Sequence, residues 1–463
     1  MRTGWILLMF IAILFLPMAS GNDGGPDFNQ RGSIVISGEE DLTGENGILS
    51  GNGSQEDPYL ISRWWINVSK GDGIIIEDVN SHVLIYEVAV THALNLSELS
   101  EFKDRGIVIR NCSNIRIERC YVYYFGTGMD VSRSDNIAIH DSSVIENHNG
   151  IVMEADDSSI TGCICSYNTR YGVFINNSDR LSLRDLITDS NSFTMGEGAG
   201  IQMINCSDIV MEECYGTLNY GEGISVIGSG DDRDLLIRNC YSDTNVNGIQ
   251  VIDMDGVVIE GTRLRYNSYG VNLVNVKDAR VTDCTFWKNS FGVIGHNLGV
   301  SLVEANRFEG NEEGLILGAS YDNRIVKNIF ANTSKEAVRI KEDSEYGNVL
   351  VMNRFLDNNQ GMEQVKDLSG LAVFSEGEKG NYWSDWQGND TDRDGVVDAE
   401  KELPGGSVDF YPLSMGRQED THSRALPADE DDERGMEYWI IVTISAMATL
   451  ILAFIIIYNR RTE

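Results

Sequence analysis

The stretch GIVIRNCSNIRIERC, residues 106–120, carries the pattern that decides the fold. Ile107 and Ile109 stand one and three residues after its glycine, and a second apolar pair, Ile115 and Ile117, follows a polar turn. An apolar residue at every second position is the period of a β-strand, because successive strand side chains point to opposite faces. The stretch therefore predicts two short strands joined by a turn.

The same pattern returns about every 22 residues, for example as GIVMEADDSSITGCIC at residues 150–165 and GIQMINCSDIVMEEC at residues 200–214. A third apolar alternation begins near the last cysteine of such copies. Three short strands per copy, with inward positions recurring in register, are typical of a parallel β-helix in which each copy is one coil. We therefore predict an all-β parallel β-helix of about 11–13 coils. The copies begin at Gly106, Gly128, Gly150, Gly172, Gly200, Gly223, Gly248, Gly270, Gly292 and Gly314, with a degenerate copy near Ala337.

Asparagine and glycine mark the corner that precedes many of these coils. An asparagine three residues before the next coil can hydrogen-bond the coils above and below it, at a strand spacing of about 4.8 Å. We therefore predict an asparagine ladder along this corner. The glycine that opens each coil predicts either a positive φ or a tightly packed corner that a Cβ would obstruct. The predicted ladder residues are Asn147, Asn245, Asn267, Asn289, Asn311 and Asn358.

The two ends of the chain carry targeting patterns. The first residues combine Arg2 with an apolar run and then small residues, which is typical of a secretory signal peptide. Near the other end, an uncharged run long enough to cross a bilayer precedes Arg460 and Arg461, so we predict a single-pass cell-membrane protein with an extracellular ectodomain. The predicted segments are a signal peptide (1–21), an N-terminal cap with the first coils (33–105), β-helix coils (106–361), a C-terminal cap (362–415), an acidic stalk (416–436), a transmembrane helix (438–458) and a cytoplasmic tail (459–463).

The formal net charge of −35 restricts the partners of this protein. A polyanion such as nucleic acid would be repelled, so no nucleic-acid partner is expected. An acidic surface instead favours cation binding and solubility. Asn-X-Ser/Thr sequons predict an exported, glycosylated surface. They lie at Asn52, Asn67, Asn95, Asn111, Asn176, Asn205, Asn332 and Asn389.

The cysteines fall at an inward position of their coils. We therefore predict buried thiols that serve as small apolar residues, rather than disulfides. Cys214 and Cys240 lie on successive coils and are the strongest candidates for an exception. The cysteines at this offset are Cys120, Cys165, Cys214, Cys240 and Cys284.

Taken together, the repeats resemble the right-handed parallel β-helix superfamily that includes NosD-like proteins, carbohydrate-binding proteins and sugar hydrolases. Residues 51–88, which open GNGSQEDPYLISRWWINV, are similar to the first coil of archaeal NosD-like surface proteins. Residues 380–413, which begin GNYWSDW and end DFYPL, are similar to their terminal signature, D-x-Y-P-L. The resemblance implies a right-handed parallel β-helix. It does not select an activity, because this fold carries lyases, hydrolases, epimerases, adhesins and scaffolds.

Within the terminal signature, the acidic loop DTDRDGVVD (residues 390–398) has the spacing of a cation site. Carboxylates at alternate positions before a glycine offer the oxygens that a hard cation requires, and we predict calcium in a structural role. Lys401 stands where an EF-hand carries its bidentate glutamate, so Glu400 or Glu402 has to serve; the alternative is an acidic surface turn. The predicted ligands are Asp390, Asp392, Asp394, the carbonyl of Val396, Asp398 and Glu400. Trp383 and Trp386, beside the loop, are expected to pack in the cap.

Pieces of a polygalacturonase-type active site are present, but their spacing separates them. About six coils separate Asp157 from His296, a distance of close to 30 Å, and this distance is too long for the two residues to share a proton transfer. Asp231 and Asp232 are still about three coils from His296. No catalytic residue is therefore assigned, and the question of enzyme activity stays open. The pieces are Asp156 with Asp157, Gly295-His296-Asn297 and Arg339-Ile340-Lys341, and a candidate lyase face holds Glu154, Asp156, Asp157, Arg170 and Asp179.

The resemblance to NosD also raises copper, because NosD is associated with copper delivery to a respiratory enzyme. Copper sites need clustered His, Met or exposed Cys. The histidines are scattered along the chain and the methionines form no Met-x-x-Met run, so we do not expect copper. The histidines are His82, His92, His140, His148, His296 and His422.

These observations predict a surface recognition or scaffold protein that binds a cell-surface glycan or an envelope protein. One alternative is a polysaccharide-processing enzyme, a lyase, hydrolase or epimerase. A second is a NosD-like accessory protein for metalloenzyme maturation. A carboxylate cluster with an Arg or Lys in a lateral groove would favour the enzyme, and a smooth ladder face would favour the binding protein.

Overall fold

A computed structural model of the chain describes residues 28–93, 103–192, 198–386 and 388–414. In these residues the strands follow one another in groups of three, and nearly every strand pairs in parallel with its counterparts one coil before and one coil after. The result is a parallel β-helix of about 13 turns, without α-helices in the described residues. The predicted architecture and coil number are confirmed.

The opening strand of each coil lies in a continuous sheet, here called the first sheet. The side chain one residue after each repeat glycine points into the core, and these side chains form a column through the coils. For example, Val271 pairs with Ile249 on one side and Val293 on the other, and all three are buried. Its strands are β2 (Ile34–Ile36), β5 (Ile74–Glu77), β8 (Arg105–Arg110), β11 (Thr127–Asp135), β14 (Asn149–Asp156), β16 (Tyr171–Arg184), β18 (Ala199–Glu212), β20 (Glu222–Ile227), β23 (Asn247–Ile252), β26 (Tyr269–Lys277), β29 (Phe291–Gly299), β32 (Glu313–Gly318), β35 (Val338–Ile340) and β38 (Val365–Asp367).

The middle strand of each coil lies in the second sheet, which β16 and β18 also enter because they run continuously through the corner. Its inward column contains the second apolar pair of the repeat, as with Ile117 and Ile139, which are buried and paired. The other strands are β3 (Tyr59–Ser62), β6 (Val83–Tyr86), β9 (Ile115–Glu118), β12 (Ala138–His140), β15 (Ser159–Thr161), β21 (Arg233–Arg238), β24 (Asp255–Glu260), β27 (Arg280–Thr282), β30 (Leu302–Glu304), β33 (Arg324–Val326) and β36 (Val349–Val351).

The third sheet closes each coil, and the single-residue bridges of Ile164 connect its two runs. The strands are β1 (Asn29–Arg31), β4 (Trp64–Val68), β7 (Ala89–His92), β10 (Tyr121–Tyr123), β13 (Ser143–Ile145), β17 (Ile187–Asp189), β19 (Tyr215–Thr217), β22 (Tyr241–Asp243), β25 (Arg263–Arg265), β28 (Thr285–Trp287), β31 (Arg307–Glu309), β34 (Ile329–Ala331), β37 (Arg354–Leu356) and β39 (Tyr382–Trp383). An antiparallel pair, β40 (Lys401–Glu402) and β41 (Val408–Asp409), and the 3-10 turns Glu39–Asp41 and Asn358–Gly361 complete the described structure.

The predicted asparagine ladder is confirmed along the corner before the first sheet. The backbone N–H of Asn245 donates to Oδ1 of Asn267 (2.9 Å), and the N–H of Asn267 donates to Oδ1 of Asn289 (3.0 Å). The ladder runs from Asn147 to Asn311, and farther along the same corner the N–H of Thr333 donates to Oδ1 of Asn358. It also contains Asn168, Asn191 and Asn219, which the sequence search missed because they do not stand three residues before a glycine.

The repeat glycines are explained by the second of the two predicted reasons, a tightly packed corner that a Cβ would obstruct. Gly270 does not have a positive φ, but a Cβ built on it would lie 2.5 Å from the carbonyl oxygen of Gly292 and 2.9 Å from Cδ1 of Phe286. The same close approach to the next glycine's carbonyl recurs in neighbouring coils, including at Gly248 and Gly292. Packing against the next coil therefore explains the glycine at this corner.

The prediction of buried thiols is confirmed, since every cysteine is free and buried. Burial raises the pKa of the Cys120, Cys163 and Cys284 thiols to about 12. The predicted exception is wrong: Cys214 and Cys240 form no bridge. Such thiols replace small apolar residues in the core and are poor nucleophiles.

Aromatic rings fill the interior near the C-terminal end of the β-helix. Phe286, Phe308, Phe330, Phe355 and Trp383 form a continuous stack with ring centroids 4.4–5.3 Å apart. Trp383 is buried at the end of this stack, and Trp386 is partly buried against the same core, so their predicted packing role is confirmed. Strands β38 and β39 extend the coils into the segment predicted as the C-terminal cap.

Several predicted segments lie outside the described residues: the signal peptide (1–21), the stalk (416–436), the transmembrane helix (438–458) and the cytoplasmic tail (459–463). The described part of the chain contains no helix with the length and apolar character required to cross a membrane.

Candidate functional site

The outer face of the first sheet carries an open cleft of about 430 Å³, here called the lateral cleft. Side chains two residues after the repeat glycine point outward here, so the β-helix register arranges them one per coil. Its lining residues are His148, Arg170, Tyr171, Gly198, Gln202, Glu222 and Gln250.

The floor of the lateral cleft, lined by Gln202 and Gln250, belongs to a longer column of polar side chains. Gln202, Ser225, Gln250 and Asn272 occupy equivalent positions on four successive coils. The Ser225 hydroxyl donates to Oε1 of Gln250 over 3.3 Å. Hydrogen bonds of this length are weak, so much of the amides' donor and acceptor capacity remains for a ligand.

A second polar column runs beside the first. It contains Glu222 and Asn247, and Nδ2 of Asn247 donates to Oε1 of Glu222 over 3.4 Å. Asn272 of the first column connects the two, because its Nδ2 donates to Oδ1 of Asn247 over 3.4 Å. Of the two columns, Gln202, Glu222 and Gln250 line the cleft with amide and carboxylate groups, whereas Ser225 and Asn247 are buried.

One end of the lateral cleft is aromatic and cationic. The Tyr171 and Phe174 rings stack with their centroids 5.0 Å apart, and the guanidinium carbon of Arg170 lies 4.7 Å from the Tyr171 centroid. Arg170 makes no ion pair with any residue that the structure describes. Its guanidinium carries N–H groups of the kind that can donate to a ligand.

His148 lies beside this cation, and its Nδ1 is 2.6 Å from the hydroxyl of Thr169. Burial, reinforced by the charge of Arg170, lowers the pKa of His148 below its ordinary value. The imidazole is therefore neutral at neutral pH. Because its Nδ1 contacts Thr169, Nε2 is the other ring nitrogen that can form a hydrogen bond.

The acidic loop places its first three predicted ligands together. Carboxylate oxygens of Asp390, Asp392 and Asp394 lie within 4.8 Å of one another. The Ser414 hydroxyl, which donates to Oδ2 of Asp390 over 2.8 Å, lowers the pKa of that carboxyl together with backbone N–H groups. Oδ1 of Asp390 is buried and has no hydrogen-bond partner among the residues that the structure describes.

Asp398 and Glu400 are not part of this group of carboxylates. Asp398 instead accepts hydrogen bonds from the backbone N–H and the hydroxyl of Thr391. Val396 is buried and Glu400 is exposed. Lys401 points away from the loop and pairs with Asp385 over 3.0 Å. The loop therefore brings three carboxylates together, while the wider set of ligands stays a prediction.

The polygalacturonase-type pieces remain separate, as predicted from their spacing. Asp157 pairs with Arg180 (2.6 Å) at a corner six coils from His296 along the first sheet. His296 and Lys341 do approach each other, because Gly318 between them lacks a side chain: a Cβ on Gly318 would lie 3.5 Å from Nδ1 of His296 and 3.1 Å from Cδ of Lys341. Asp157 remains far from both.

The described residues offer no grouped donor set suited to copper. The carboxylates of the acidic loop are the one metal-sized group of His, Cys, Asp or Glu side chains among them, and all its donors are oxygens. Carboxylate oxygen favours calcium or magnesium, whereas copper favours imidazole and sulfur. His422 lies outside the described residues.

Sequence analysis missed most of the lateral cleft. Gln202, Glu222 and Gln250 were not singled out, and Arg170 was named only within an acidic candidate face. A signal was present: the outward position of the first strand is apolar in several coils, as at Val108 and Val152, but is Gln, Ser, Gln and Asn in four successive coils. Arg170 and Gln202 lie near each other because of the register between coils, and the sequence of a single repeat does not show that register.

Comparison with known proteins agrees with this fold. Residues 199–375 match the family described as "Periplasmic copper-binding protein (NosD)", and residues 46–191 match the family described as "Right handed beta helix region". The "Probable ABC transporter binding protein NosD" of Pseudomonas aeruginosa is 32% identical over 141 residues, which cover 27% of this chain and 32% of that protein. The chain thus matches about a third of the length of this relative.

Solved structures with similar chain paths include two carbohydrate-related proteins. The mannuronan C-5 epimerase AlgE6 A-module of Azotobacter vinelandii is 13% identical, with a TM-score of 0.40 over 80% of this chain and 96% of that one. The tailspike protein of E. coli bacteriophage HK620 is 10% identical, with a TM-score of 0.45 over 67% of this chain and 70% of that one. The predicted right-handed β-helix and the NosD-like resemblance are confirmed by the family matches, while the archaeal affinity of the end segments stays a prediction.

Proposed function

We propose that this NosD-like, right-handed β-helix protein recognises a carbohydrate in its lateral cleft. The observation that carries the proposal is the amide-rich floor next to an aromatic and cationic end. Sugars present hydroxyl groups, which amides and carboxylates bind by paired hydrogen bonds, and apolar ring faces, which pack on aromatic side chains. A concave site with a few convergent polar groups is the usual form of a ligand site.

Binding should depend on the amides of the floor. We expect the purified full-length protein to bind glycans on an array, and Gln202→Ala with Gln250→Ala to weaken that binding at least about tenfold, because two side chains that hydrogen-bond the ligand are lost. Gln30→Ala with Gln55→Ala, at exposed positions outside the cleft, is the matched control. Glycan binding that survives the cleft substitutions would place recognition elsewhere.

A polysaccharide-processing enzyme is the second candidate, and His148 is the observation that favours it. A neutral imidazole next to a guanidinium that has no ion pair among the described residues can accept a proton from a ligand while the cation stabilises developing negative charge. Mass spectrometry of glycans incubated with the protein distinguishes the two candidates. Product release that is lost in His148→Ala would make the protein an enzyme, whereas unchanged glycans would leave recognition alone.

Calcium in the acidic loop is proposed as a structural ion of the cap. Three grouped carboxylates and the unpartnered Oδ1 of Asp390 suit a hard cation with oxygen ligands. The donor set does not suit copper, so no role in copper delivery is proposed. Location on the outer face of the cell membrane also remains a proposal, which rests on the sequence of the two ends.

Calcium should raise the melting temperature of the protein, because an ion that binds only the folded loop stabilises it, by about 2.7 kcal/mol at 100 times its Kd. The measurement is differential scanning calorimetry with calcium and with a chelator. Asp392→Ala with Asp394→Ala should abolish the shift, whereas Glu342→Ala with Glu345→Ala removes the same charge from another exposed segment and should keep it. A shift that persists in the loop variant would exclude this site.

A further inference from the structure

A second aromatic pair lies on the same outer face as the lateral cleft, beyond the far end of its polar floor. The Tyr269 and Phe291 rings stack with their centroids 5.3 Å apart, and both side chains are half-buried. Tyr269 follows Asn247 in the second polar column, so the pair borders the floor directly. This pair is not among the residues that line the cleft.

One tyrosine of each aromatic pair occupies a corresponding place, at opposite ends of the floor. Tyr171 and Tyr269 both stand one residue before the repeat glycine, on coils separated by four steps of the register. At about 4.8 Å per coil, the two pairs are about 19 Å apart along the axis. Between them the side chains that line the cleft are those of Gln202, Glu222 and Gln250, while Ala199, Ser225 and Asn247 are buried beneath the surface.

We propose that the site binds a linear, uncharged polysaccharide segment that lies along the β-helix axis and packs on an aromatic pair at each end. This inference rests on the proposed function. A pyranose ring is roughly as long as one coil step, so a segment of roughly four rings or more is needed to reach both pairs. The amides of Gln202 and Gln250, which stand two coil steps apart, would then meet different rings of the same chain.

Charge favours an uncharged ligand. The protein carries a net charge of −35, which repels a polyanion approaching a long face. Within the cleft, the cation of Arg170 is offset by the carboxylate of Glu222, so the site itself offers no excess of positive charge among its lining residues.

Calorimetric titration of the full-length protein with disaccharides and hexasaccharides of the β-1,4-glucan, β-1,4-mannan and β-1,4-xylan series tests the inference. We expect the hexasaccharide of the preferred series to bind more tightly than its disaccharide. Tyr269→Ala should weaken the hexasaccharide about fivefold to tenfold and leave the disaccharide unchanged, because only the longer chain reaches the second pair. Tyr171→Ala should weaken both, and Tyr346→Ala, at an exposed tyrosine outside the face, should change neither.

The outcomes separate this inference from the proposed function. Equal binding of both lengths, or a Tyr269→Ala variant that keeps the full hexasaccharide affinity, overturns the axial arrangement while recognition in the cleft stands. Tighter binding of hexagalacturonate than of every uncharged hexasaccharide overturns the uncharged ligand. No binding of any of these series, together with a silent glycan array, overturns both the inference and the proposed function.

Discussion

Asn267→Ala is expected to lower the free energy of unfolding by about 4 kcal/mol, because it leaves two buried backbone groups without partners. Oδ1 of Asn267 accepts from the backbone N–H of Asn245 (2.9 Å), and its Nδ2 donates to the carbonyl of Ser242 (3.1 Å). The side chain is 2% exposed, so water does not readily replace it. Urea unfolding, with the change read at constant m-value, measures the loss.

Asn272→Ala is the matched control on the same coil. Asn272 is half-buried on the outer face, and its hydrogen bond to Asn247 is long, at 3.4 Å. Its removal should cost no more than about 0.5 kcal/mol. Equal stability of the Asn267→Ala protein and its parent would show that the amides of the ladder do not hold the corner.

Gly270→Ala is expected to destabilise the protein by about 3 kcal/mol, because the added Cβ meets backbone rather than a movable side chain. The nearest atom is the carbonyl oxygen of Gly292 at 2.5 Å, a contact that real Cβ atoms essentially never make. To relieve it, two coils would have to separate locally and weaken their parallel pairing.

Gly32→Ala tests whether the contact, and not the loss of glycine, causes the effect. Gly32 has no positive φ and no atom within 4 Å of the position of a Cβ. Alanine there should be neutral or slightly stabilising, by up to about 1 kcal/mol, because it restricts the unfolded chain. If both alanines have the same small effect, close packing does not explain the repeat glycines.

Much of this fold could be predicted because each coil repeats the same physical constraints. The alternation at Ile107 and Ile109 fixes which side chains enter the core, and the repeat fixes their register with the coils above and below. The coils with insertions were harder to interpret. Asn191 belongs to the ladder, but it stands nine residues before Gly200 because of an insertion, so position relative to the glycine did not reveal it.

The candidate site was less predictable than the fold because it depends on neighbours that are distant in sequence. Arg170 and Gln250 line one cleft although three coil steps separate their strands. The acidic loop was the opposite case, since its carboxylates lie within one short segment and their grouping follows from local spacing. Sequence therefore locates a local loop more readily than a site assembled across coils.

The coil-by-coil register has a consequence for how this protein can change over evolutionary time. Apart from β40 and β41, each described strand pairs only with the coil before it and the coil after it. Duplication or loss of gene segments that encode whole coils would therefore preserve every inward column, whereas loss of a partial coil would not. Ligand length and protein length are linked by the same rule, since one added coil between Tyr171 and Tyr269 would lengthen the polar floor by about 4.8 Å. Descendants of such a gene would differ in the size of glycan that they fit, without any new architecture.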